Sequence, residues 1–64
     1  MKKYGALKRA DSGIWYIETE YVDITVGDYS SYISALNASS ELGWNLVAFW
    51  VGEHYTTYIM TMEV

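Results

Sequence analysis

The segment Trp44-Asn45-Leu46-Val47-Ala48-Phe49-Trp50-Val51 has one polar side chain and no charge. An almost wholly apolar run of this length reads as a strand covered on both faces. Gly43 precedes it, where a helix end favours a residue of positive φ, a conformation glycine adopts without a Cβ penalty. Upstream, Leu36 to Leu42 reads as the last turns of a helix. The segment is therefore expected to fix one helix against a sheet, with the apolar run as its buried strand.

Sixty-four residues make one domain, 1–64, near the lower size limit for independent folding, so the core is small. Half of the composition, 52 %, is apolar, which excludes a disordered chain. There is no cysteine, hence no disulfide and no thiolate metal site, and a cytoplasmic setting is expected. The charged first residues are followed by no apolar run of the kind a signal peptide needs, and Leu46 to Val51 is too short to span a bilayer. Lys2, Lys3, Lys8 and Arg9 all precede Asp11, and every later charge is acidic, for a net charge of −4. Four cations cannot form the basic stripe that duplex nucleic acid requires.

In chain order, Lys3 to Arg9 predicts a first strand, weakened by Gly5. Asp11-Ser12-Gly13 is a turn signal. Ile14 to Val26 is rich in β-branched and aromatic residues and predicts one long second strand, with a bulge or bend near Glu18 to Glu20. Gly27-Asp28 breaks it. A helix follows from about Tyr29 to Leu42, capped by Asp28 or Ser30, with Tyr29, Tyr32, Ile33 and Leu36 on its apolar face. Trp44 to Val51 is the third strand, Gly52-Glu53-His54 a tight turn, and Tyr55 to about Met62 the fourth strand. The expected fold is α+β in two layers: one helix on a four-stranded, mostly antiparallel sheet, in the order strand, strand, helix, strand, strand.

Leu36, Asn37, Gly43, Trp44, Leu46 and Val47, followed in the last strand by Tyr58 and Ile59, resemble the domain-of-unknown-function 4177 family of short bacterial and phage proteins. The resemblance covers roughly the second half of the chain. Ser40 stands where that pattern has another glycine, and the first hairpin is longer than its single strand. In size, aromatic content and lack of a catalytic motif the chain is also similar to viral sponge proteins, a likeness that implies sequestration of a nucleotide immune signal.

No catalytic constellation is evident. His54 is the one histidine, so a metal site would have to rest on carboxylates, and His54 reads as a solvated turn residue. Glu18 and Glu20 read as a wet strand face. No nucleophile elbow surrounds a serine, and no Gly-rich phosphate loop is present. The expectation is a protein that is not an enzyme and carries no metal or cofactor.

The aromatic residues remain: three Trp, seven Tyr and one Phe. Trp44, Phe49 and Tyr32 read as core. One helix covers only one face of a sheet, so the second apolar face needs another cover. That argues for a homodimer or larger assembly enclosing a small, phosphate-bearing aromatic ligand such as a cyclic nucleotide. Trp15, Tyr16, Trp50 or Tyr55 would stack on the base, and Lys8 and Arg9 would hold the phosphate. The alternative is a protein-interaction module or small inhibitor using exposed aromatics or a free sheet edge.

Overall fold

The fold is set by a strand at the amino-terminal end, not by the apolar run. In the computed structural model, which describes residues 1–64, β1 (Lys2–Arg9) is the middle strand of an antiparallel sheet. The Asp11-Ser12-Gly13 turn returns the chain into β2 (Ile14–Glu18), with Gly13 at φ 95° and its N–H donating to the Ala10 carbonyl at 2.9 Å. The expected single second strand is instead two. Thr19 closes a turn on Val22, its hydroxyl donating to the Val22 carbonyl at 2.6 Å and accepting from the Val22 N–H at 3.1 Å. The chain reverses there into β3 (Asp23–Asp28), which pairs with β2 across a bulge at Trp15/Tyr16. With β4 (Asn45–Val51) and β5 (Thr56–Glu63) the sheet has five strands, in the order β3-β2-β1-β5-β4.

The helix α1 (Tyr32–Glu41) is shorter than expected and capped by Ser31, whose hydroxyl accepts the Ser34 N–H at 3.2 Å. Its inward residues are Ala35 and Ser39, both fully buried, with the Ser39 hydroxyl donating to the Ala35 carbonyl at 2.8 Å. Small residues four apart let the helix sit close to the sheet. Tyr32 and Ile33, expected on the inward face, are about half exposed. At the far end the Gly43 N–H donates to the Ser40 carbonyl and the Trp44 N–H to the Ser39 carbonyl, both at 2.9 Å, with Gly43 at φ 95°. These two bonds form a Schellman stop, which satisfies carbonyls that the last turn leaves free.

The stop delivers Trp44 into the core, where it joins Leu7, Trp15, Ile17, Ala35 and Met60. Gly5 makes room for it: a Cβ there would lie 3.3 Å from the Trp44 ring and 2.6 Å from Ile17. Beyond Trp44 the expectation fails. β4 is an edge strand, and all seven of its residues are exposed, Phe49 among them at 64 %. No helix of the fold is long and apolar enough to cross a membrane.

Candidate binding face

Strand alternation sends Leu7, Trp15, Ile17, Tyr58 and Met60 toward α1 and leaves the opposite face open. The register assembles that open face row by row. Ala6 lies between Glu18 and Ile59, and Ile59 pairs onward with Ala48. In the next row Lys8 faces Tyr16, and Trp50 faces Thr57. No helix covers these side chains.

Two adjoining hollows open on this side. The larger, about 400 Å³, is lined by Lys8, Trp50, His54, Tyr55 and Ile59 among others. The smaller, about 290 Å³, takes in Lys8, Arg9, Tyr16 and Tyr55. Lys8 and Tyr55 belong to both. Five of the six residues expected to bind a ligand thus surround one pair of hollows.

Trp15 does not. It is 6 % exposed, on the helix side, and its indole N–H donates to the Tyr29 carbonyl at 2.9 Å. It is a core residue with a satisfied polar atom, and it borders a different hollow, of about 500 Å³ on the helix side, with Arg9, Tyr32 and Tyr55. Arg9 shares that side of the sheet by its pairing with Trp15, its guanidinium 5.8 Å from the Trp15 ring centroid. Of the two adjoining hollows it lines only the smaller.

The charge at the site is already partly matched. Lys8 Nζ lies 3.0 Å from Glu18 Oε1, on the same face. The hydrogen bond that Lys8 donates to the Glu18 carboxylate raises the Lys8 pKa, so the ammonium stays charged through neutral pH. An anion entering here competes with Glu18 for the same donor. His54 and Glu53 line the larger hollow as exposed turn residues. No group of three His, Asp or Glu converges in the fold.

The expected site omitted Ala6, Thr57 and Ile59, which line the floor. Period-2 alternation from Lys8 and Trp50 would have found them once the strand pairing was known. It also omitted a separate hollow of about 560 Å³ at the other end of the sheet, lined by Lys2, Lys3, Tyr21, Trp44 and Met62 among others. Comparison of the chain with protein families, curated proteins and solved structures gives no match.

Proposed function

We propose that the chain is a non-catalytic binding protein, acting as a homo-oligomer, whose open sheet face takes a planar, phosphate-bearing ligand of the cyclic-nucleotide class. The observation that carries this reading is the convergence of Lys8, Tyr16, Trp50 and Tyr55 on one uncovered face around adjoining hollows. Aromatic rings offer stacking worth about 1–3 kcal/mol per base. Lys8 supplies a donor for phosphate beside them, and the likeness to nucleotide-sequestering sponge proteins points the same way. Long-range attraction does not help, because the net charge is −4. Affinity must come from stacking and one local cation.

Glu18 makes the reading testable. Calorimetry with a panel of cyclic nucleotides is expected to show binding to the parent and its loss in Lys8→Ala. Tyr16→Ala should weaken binding by the ~1–3 kcal/mol of one stacked ring. Glu18→Gln, which removes the competing carboxylate, should tighten binding by about 0.2–1 kcal/mol, the usual worth of an exposed ion pair. If no nucleotide binds the parent, or Lys8→Ala binds equally well, this reading fails.

A second reading rests on a different observation, the unpaired outer edge of β4. An exposed edge can accept a strand from another protein, the mode of a protein-interaction module or inhibitor.

A further inference from the structure

We infer that β4 is completed by β4 of a second copy of this chain, paired antiparallel, so that two five-stranded sheets become one continuous sheet. The inference rests on the homo-oligomer part of the reading above and adds the contact surface.

The two edges of the sheet differ in kind. β3 is bulged and begins and ends with aspartate, Asp23 and Asp28. Charges, bulges and short length are the devices by which edge strands avoid pairing. β4 has none of the charge: Asn45-Leu46-Val47-Ala48-Phe49-Trp50-Val51 contains no ionisable side chain and no proline. Its one irregularity, at Leu46/Ala48, lies near its start. Its outward backbone groups have no strand partner, because β5 is its sole neighbour.

The area reaches the low end of what a stable interface uses. Val47, Phe49, Trp50 and Val51 are 54 %, 64 %, 71 % and 69 % exposed. With an aromatic side chain carrying about 150–250 Å², the uncovered apolar surface of the strand is on the order of 600 Å² per copy. A standard stable interface uses about 800 Å² per partner. Charge selects the occupant. The chain carries a net −4, so two copies repel wherever their acidic surfaces meet. The β4 edge has no ionisable side chain, so they can meet there without opposing carboxylates.

Antiparallel pairing of identical strands puts the two-fold axis perpendicular to the sheet. Both open faces then look the same way, with both helices on the other side. Trp50 lies on the open face beside the larger hollow and at the joint. The second copy therefore brings its own Trp50 and its own hollow to the same side of the joined sheet, at the opposite end of the β4 joint.

Light scattering at micromolar concentration tests this without any ligand, so its outcome is separate from the nucleotide titration. The parent is expected to scatter as two chains, twice the 7.3 kDa of one. Val47→Lys and Phe49→Lys should each scatter as one chain with the parent's circular dichroism. Thr25→Lys, on the exposed opposite edge, should remain two chains. A one-chain parent overturns the inference and leaves the edge for another protein's strand. A two-chain particle that survives both β4 substitutions overturns it too, by placing the contact elsewhere. Should the lysine variants unfold, Ala48→Cys decides. The chain has no other thiol, so a short bismaleimide should join two chains through Cys at 48 and not through Thr25→Cys. Equal joining in both, or none at 48, contradicts the inference.

Discussion

Gly5, Gly43 and Trp44 act as one unit. The Schellman stop at Gly43 aims the Trp44 indole, and Gly5 leaves the space it fills. Gly5→Val should destabilise the fold by about 1–3 kcal/mol through overpacking against Ile17 and Trp44. Gly43→Val should cost about 1–3 kcal/mol for a different reason, since φ 95° strains a β-branched residue. Urea denaturation measures both, and parental midpoints would show that neither glycine holds the indole. Gly43 and Trp44 were legible in the sequence because a helix stop is local chemistry. The pair Trp15 and Trp50 was not. Both sit in apolar runs, and strand order together with the side that α1 covers decides that Trp15 is buried and Trp50, on an edge strand, is exposed at 71 %.

Among the elements, α1 is the weakest. It is rich in serine, has no acidic residue in its first turn and no basic residue in its last. The Ser31 cap matters accordingly, and Ser31→Ala should cost about 1 kcal/mol. An unchanged midpoint in urea would mean that packing alone holds the helix. Alkaline pH probes the contact between helix and sheet. Burial raises the Tyr58 phenol above its ordinary value, with Tyr32 stacked on it at 5.8 Å adding to the shift. The folded chain thus keeps this proton after the unfolded chain has lost it. Stability is full below about pH 10 and falls as pH climbs through the folded value. Lys8, raised by Glu18, acts with the same sign in the same alkaline range. Tyr58→Phe should flatten part of that decline, and an identical pH profile would contradict the assignment. The one helix and the α+β class followed from the order of patterns along the chain. The additional strand, β3, did not, because the turn before it contains no glycine, proline or asparagine and closes on the Thr19 hydroxyl. The position of β4 was also hidden: an apolar run reads as a central strand whether its neighbour lies in the same chain or in another.

At the scale of the molecule, a single copy leaves the sheet unfinished on its open face and along β4. A chain of 64 residues has a small core, and an assembly through β4 would supply burial that the monomer lacks. Mass action then predicts that the melting temperature rises with protein concentration, whereas a monomer melts at one temperature throughout. Amide hydrogen exchange of β4, followed residue by residue over a dilution series, addresses the edge itself. The outward amides of Asn45–Val51 are expected to exchange slowly at high concentration and to lose that protection on dilution, while β1 stays protected throughout. Outward β4 amides that exchange rapidly at every concentration would contradict the pairing.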